Sequence, residues 1–429
     1  MKTGPQDNIR KLIENVKLPK IAKVRQHFDE SHIEDVAGTT AAKLREQGLD
    51  ERIKPGMRVV LTGSSRYIAD AVPVLRETAR FVRECGGEPV IIPAMGSHGG
   101  ATAEGQRGIL TEYGITEESC GCRIYSSMET VLTGHTPDGL PVYIDKFAKE
   151  SDAIIPIGRI KAHTAFRARY ESGLMKMCAI GLGKQYGADA LHNAGFGEFK
   201  TRIPAYGNTV IATNNVIFAV GIIENAFDKT CRIEVVKGEE IADKEPALLE
   251  YAKSRMAKIF VDETDLLVVR EIGKNISGSG MDPNITGTWS TPYGGGGLKK
   301  QRVTVLDLTD ESKGNALGIG RADTTTMRVF DKIDFTQLYP NLLTSTVVSP
   351  GMIPMVLEDD KMAITAAIKM LTGVDKDNVR VVMIKNTLSL SEIYLSEALL
   401  PQAEADGRME VLEEPHPMEF DADGALRAF

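Results

Sequence analysis

Cysteine is scarce in this chain and forms no framework. The five, Cys85, Cys120, Cys122, Cys178 and Cys231, are few for 429 residues, odd in number and without disulfide spacing. A disulfide scaffold is therefore not expected, and a reducing compartment is. Positive charge is not in excess either. With 51 Lys and Arg against 59 Asp and Glu the net charge is -8. Binding to a phosphate backbone needs a clustered basic surface. Nucleic acid is thus not expected as a main partner, whereas an anionic small substrate needs only a few local cations. No apolar run reaches the length that crosses a bilayer, and the charged stretch from Met1 to Lys20 has no signal-peptide core. No membrane partner and a cytoplasmic location are expected. There is no internal repeat and no low-complexity tract. There is also no His-Glu-x-x-His or Cys-x-x-Cys spacing, no Gly-x-Ser-x-Gly elbow and no Walker-type phosphate loop. Cys120-Gly121-Cys122 reads as a surface hairpin turn.

What is present is the composition of a globular protein, 42% hydrophobic and 26% charged, too long for one ordinary core. Two domains are expected. After short elements that end in a helix over Ile33 to Gln47, the pattern becomes α/β. A buried strand at 58–62, a helix from about Tyr67 to Cys85 and a strand at 89–93 make a parallel βαβ unit. A helix at 102–113 and a strand at 153–157 follow. Ligands of such sheets bind beyond the carboxyl ends of the strands, where the following loops carry Arg66, His98 and His163. A second set of strands, at 266–269, 302–308 and 379–384, with a helix at 363–371, predicts a second α/β domain. The expected division is an N-terminal domain at 1–264, with a parallel or mixed sheet flanked by helices, and a smaller C-terminal domain at 265–399. The tail 400–429 is expected to pack back on the first, and the active site to lie in the cleft between the two. Gly294 to Gly297 is a flexible loop.

Three of the seven histidines follow Gly-punctuated loops. His98 lies between glycines, where backbone can approach a ligand closely. His163 closes Arg159-Ile160-Lys161-Ala162-His163, and His192 follows Gly181-Leu182-Gly183-Lys184. Lys176 sits among apolar neighbours in Gly173-Leu174-Met175-Lys176-Met177-Cys178. It is either a desolvated, nucleophilic amine or a lysine snorkelling from a buried helix.

Read together, these residues resemble the nickel-dependent lactate racemase family. Its loop histidine, second histidine, modified lysine and third histidine recur here in order as His98, His163, Lys176 and His192. The segment Gly96-Ser97-His98-Gly99-Gly100-Ala101-Thr102 is similar to the family's histidine loop. Ile276 to Asn284 looks like a segment of uncharacterised relatives. The resemblance implies a nickel pincer nucleotide (pyridinium-3-thioamide-5-thiocarboxylic acid mononucleotide nickel) tethered to Lys176, with His192 on the metal. Arg66, Ser64 and Ser65 would contact this cofactor, and Lys274, Tyr293 and Lys299 the substrate. It further implies reversible hydride and proton transfer on a 2-hydroxy acid, with His98 and His163 as opposed bases near their natural pKa. The partners implied are a small 2-hydroxy acid and the cofactor-synthesis enzymes, and a homo-oligomer is left open. This chain departs from the family's pattern at Gly63-Ser64-Ser65, at Gly99 and at Gly173-Leu174-Met175. Small residues around His98 point to a substrate larger than lactate, such as a sugar acid. Two rival readings stand beside a racemase or epimerase: a lyase forming a Schiff base on Lys176, and a cofactor-free hydroxy-acid-binding protein of the same fold.

Overall fold

The computed structural model describes residues 6–46, 48–193 and 195–429. The chain forms two compact units, one of residues 29–256 and one of residues 1–28 with 257–429. The division differs from that expected at 264 in one instructive way. The first residues belong with the C-terminal ones, because strand Lys20–Gln26 pairs with Glu392–Ser396. The tail pairs with that same strand through Met409–Val411 and His416–Pro417, so it completes the second unit's sheet. Strand partners distant in sequence carry no local signal that a sequence pattern could reveal.

The 29–256 unit is built on a parallel sheet in the order Arg123–Ile124, Glu88–Pro93, Arg58–Gly63, Ala153–Ile155. Its strands are buried apolar runs because helices cover such sheets. Helix Ala71–Glu84 buries Val74, Leu75, Ala79, Phe81 and Val82, and Gly86, at φ 86°, ends it. Helix Ala103–Glu112 starts at Thr102, whose hydroxyl accepts from Gly105 N–H. The expected single strand at 153–157 is two strands. Ala153–Ile155 pairs with Arg58–Gly63, whereas Ile157–Arg159 pairs with Phe218–Glu224 in a second sheet. Pro156 lies between them; it has no N–H to give to a ladder, and the chain changes sheet there. The helix expected over Ile33 to Gln47 is Val36–Glu46; Gln47 lies outside the described residues. Cys120-Gly121-Cys122 is not a surface hairpin. Cys120 is buried at the end of helix Glu117–Cys120, Gly121 caps that helix at φ 66°, and the chain runs on into strand Arg123–Ile124.

The other unit holds a nine-stranded sheet among the described residues. Its parallel part runs Met355–Leu357, Thr324–Thr326, Arg302–Val305, Leu266–Val269, Val381–Ile384, and the antiparallel strands named above follow. Asp360, fully buried at the start of helix Asp360–Lys369, pairs with Arg270 at 2.8 Å and Arg328 at 2.6 Å and accepts from Leu426 N–H. It thereby ties strand ends to the C-terminal tail. Among the described residues no helix is long and apolar enough to cross a membrane.

One buried charge pair organises the 29–256 unit. Lys184, with no exposed surface, lies 3.0 Å from Asp145 and donates to the carbonyl of Pro93. It joins the ends of strands Glu88–Pro93 and Pro141–Asp145 to the start of helix Lys184–His192. Lys184→Met leaves Asp145 as an unpaired buried carboxylate. The expected loss is about 3–5 kcal/mol of stability, measured by urea denaturation; a loss under about 1 kcal/mol would contradict the assignment.

Candidate functional site

The loop after strand Arg58–Gly63 presents Arg66. Ser64 Oγ donates to the Arg66 carbonyl at 3.0 Å, and Tyr113 Oη donates to the Ser65 carbonyl at 3.4 Å. Arg66 keeps an exposed edge, yet its guanidinium is enclosed enough that burial lowers its pKa. No carboxylate pairs with it among the described residues. The loop after strand Glu88–Pro93 carries His98. Gly96 N–H donates to the Gly181 carbonyl, and a side chain at Gly96 would press on Ile180 and Ala188. The backbone of the His98 loop is thus fastened to the segment that follows Lys176.

His163 lies in an excursion whose ends pair with each other, Lys161 and Ser172 exchanging both backbone hydrogen bonds. Inside it, the fully buried Glu171 accepts from His163 N–H at 2.7 Å and from Arg167 at 3.0 Å. Lys253 reaches the same carboxylate at 3.0 Å. Lys176 follows directly, on the turn Leu174–Lys176, which continues into a π-helical turn at Met177–Gly181. Glycines let this turn pack tightly. Met175 lies against Gly207 and Met177 against Gly181, where a Cβ would collide, and Met177 also lies close to Gly158. His192 ends helix Lys184–His192. Phe166, Phe196 and Phe199 bridge the two histidines: His163 lies 4.3 Å from the Phe166 ring and His192 5.1 Å from Phe199, with Phe166 and Phe199 5.3 Å apart.

The electrostatics bind these residues into one group. Burial brings the Lys176 amine down to about 8, and Arg66 and Lys161 push the same way. No hydrogen bond or carboxylate holds it among the described residues. His163 is lowered well below its ordinary value, first by burial, then by Lys176, Lys161, Arg167 and Arg66. The expectation that both bases keep natural pKa values fails for His163, because local spacing does not show four cations converging on it. His192 is lowered by burial and by Lys176, with Asp189 opposing. Its ring too makes no hydrogen bond among the described residues, so a neutral ring nitrogen is offered.

The Nδ1 contacts set the two loop histidines in opposite senses. His98 Nδ1 faces the Met95 carbonyl at 2.8 Å. A carbonyl can only accept, so Nδ1 carries the proton and Nε2 the lone pair. His163 Nδ1 instead accepts from Ala165 N–H at 3.0 Å, which leaves its neutral ring with the proton on Nε2.

The arrangement suits a tethered metal nucleotide. An amine that is easily neutral is available for acylation, Arg66 and Lys161 supply positive charge for a phosphate, and His192 supplies one imidazole donor. Among the described residues no group of three His, Cys, Asp or Glu is placed to hold a metal ion.

Residues 12–202 match the family model for the lactate racemase N-terminal domain. Over these residues the chain is similar to the lactate racemase N-terminal domain. Its fold agrees with this. The lactate racemase apoprotein from Thermoanaerobacterium thermosaccharolyticum superposes with a TM-score of 0.53 over 86% of this chain and 99% of that one, at 13% identity. At that identity the match speaks for the two-domain α/β fold alone. No curated protein sequence matches the chain. All four residues that carry the resemblance, His98, His163, Lys176 and His192, fall within the matched span of this lactate-racemase-like region.

The three candidates for the substrate lie in the other unit. Lys274 donates to the Gly278 carbonyl at 2.7 Å and to Asn341 at 3.1 Å. Tyr293 is half exposed. Lys299 is exposed, its backbone bonded to Asp262 and Thr264. Its neighbour Lys300 is the enclosed one, brought by burial to about 8 and, among the described residues, donating to the Leu298 carbonyl alone. Sequence reasoning missed Lys300, although alternation along Leu298-Lys299-Lys300 could have raised it. It also missed Arg167 and Glu171 as supports of His163, and Lys161 as a cation near Lys176.

With a pKa near 8, roughly a tenth of Lys176 is neutral at pH 7, against well under a thousandth for an ordinary lysine. Competitive acetylation read by peptide mass is expected to show Lys176 and Lys300 gaining reactivity through pH 8. Titration of Lys176 near 10.5 would refute its desolvation.

Proposed function

We propose that this protein is an isomerase, a racemase or epimerase of a 2-hydroxy acid that works with a nickel pincer nucleotide tethered to Lys176. The observation that carries the reading is a desolvated amine without a counter-ion among the described residues, set among His163, His192 and Arg66, within a lactate-racemase-like region. When bound, the nucleotide supplies the hydride-accepting chemistry. The chain's own residues supply position, charge and proton movement. Lys176 in its neutral form is the attachment point. His192, kept neutral by burial, suits nickel as an imidazole donor. Arg66 and Lys161 favour the anionic groups of cofactor and substrate, while Ser64 and Ser65 shape the turn that carries Arg66. His98, with its lone pair on Nε2, takes the hydroxyl proton on one face. His163 enters as a donor through Nε2–H and steadies the substrate oxygen. To act as base on the opposite face it must move its ring proton to Nδ1 and give up the Ala165 contact. The reading makes the cofactor-synthesis enzymes necessary partners. It also favours an acid larger than lactate, because Gly100, two residues after His98, has open space where a side chain would stand.

A Schiff-base lyase draws on the same lowered amine, and one experiment separates the two readings. The chain is co-expressed with the cofactor-making enzymes, its intact mass and nickel content are measured, and hydroxy acids of increasing length are assayed for racemisation. Added mass on Lys176, one nickel and turnover of a longer acid are expected, with His98→Asn and His163→Asn each lowering turnover at least ~100-fold. An unmodified Lys176 without nickel would refute the racemase reading, and borohydride trapping of a keto acid on Lys176 would establish the lyase. Preference for lactate over every longer acid would overturn the substrate assignment alone.

A further inference from the structure

The turn that bears Lys176 is gripped by a side chain seventy residues away in sequence. Helix Ile241–Arg255 carries Glu245, which is 1% exposed. Its carboxylate accepts from Met175 N–H at 2.7 Å and from Leu174 N–H. These are the first amides of the turn, which have no partner within it. A Cβ on Gly173 would fall inside the Glu245 carboxylate, so the residue before the turn is one that leaves room for the grip. The same helix holds the preceding excursion at two further points. Tyr170 Oη donates to the Ala242 carbonyl at 2.6 Å, and Lys253 pairs with Glu171 at 3.0 Å.

We propose that Glu245 is the positioning residue for Lys176, its carboxylate fixing the turn that keeps the lysine amine in its enclosed setting. The inference rests on the reading that Lys176 is the working lysine. Several observations favour this role over simple helix packing. The contact is fully buried, and a carboxylate at the amino end of a turn is the better capping group. Its cost is visible, because burial lifts Glu245 to about 7 against the pull of the two amides. A residue serving only to fill space would be apolar there.

The test reads the Lys176 amine in the protein without cofactor. Lys176 pKa is measured by competitive acetylation in the parent chain, Glu245→Leu, Glu245→Gln and Gly173→Ala. Lys184, which has no exposed surface, reports folding by staying unlabelled. If Glu245 positions the turn, Glu245→Leu and Gly173→Ala relax it, the amine gains solvent, and its pKa rises by about one unit, a roughly ten-fold smaller neutral fraction at pH 7. Glu245→Gln keeps the shape and one acceptor oxygen, so it falls between. Loss of a nearby negative charge alone would move the lysine the other way, because a carboxylate favours the ammonium. An unchanged or lowered Lys176 pKa in Gly173→Ala, with Lys184 protected, overturns the proposal. Where Glu245→Leu fails to fold, Gly173→Ala decides alone, since it displaces the carboxylate without removing it. Cofactor loading of the parent chain is measured separately, so failure here leaves the racemase reading standing.

Discussion

An ammonium group in a closed setting needs either a carboxylate or water, and among the described residues the Lys176 amine has no carboxylate. Arg66 and Lys161 add to the imbalance, and the amine answers by giving up its proton more readily. Burial, with the same surplus of positive charge behind it, holds His163 and His192 neutral. The amine thus reaches its neutral form more readily than an ordinary lysine, and the two imidazoles are neutral rings. That is the state in which an amine is acylated and an imidazole binds a metal. The chemistry offered by the site follows from this one imbalance.

Much of the surrounding structure maintains it. The Lys184–Asp145 pair joins the strand that leads to His98 to the helix that ends in His192. Glu171 takes up the nearby cations Arg167 and Lys253, so its charge is already spent before it could serve Lys176. The aromatic rings of Phe166, Phe196 and Phe199 fill the space between His163 and His192. Glycines at 158, 181 and 207 let neighbouring chain close on the lysine turn without side chains of their own. Each of these devices excludes water or removes a counter-charge.

The two loop histidines show how little of a catalytic assignment lies in residue identity. Both are histidines beyond the carboxyl ends of strands, yet one backbone carbonyl and one backbone amide give them opposite proton arrangements. A role as acceptor or donor at Nε2 is decided by the partner of Nδ1, two or three residues away in the local turn.

The sequence by itself determined the parallel βαβ core, the loops that carry Arg66 and His98, and the order His98, His163, Lys176, His192. Those features rest on short-range periodicity and on spacing, which a single chain displays openly. Only the tertiary structure decided that strand Lys20–Gln26 joins the C-terminal unit, that Pro156 sends the chain into another sheet, and that Lys176 lies without a carboxylate among the described residues. Only there does Glu245 meet Leu174 and Met175, and only there does Lys300, not Lys299, turn inward. Strand pairing across hundreds of residues and the balance of charge around an amine depend on groups that are distant in sequence, and no local pattern records them.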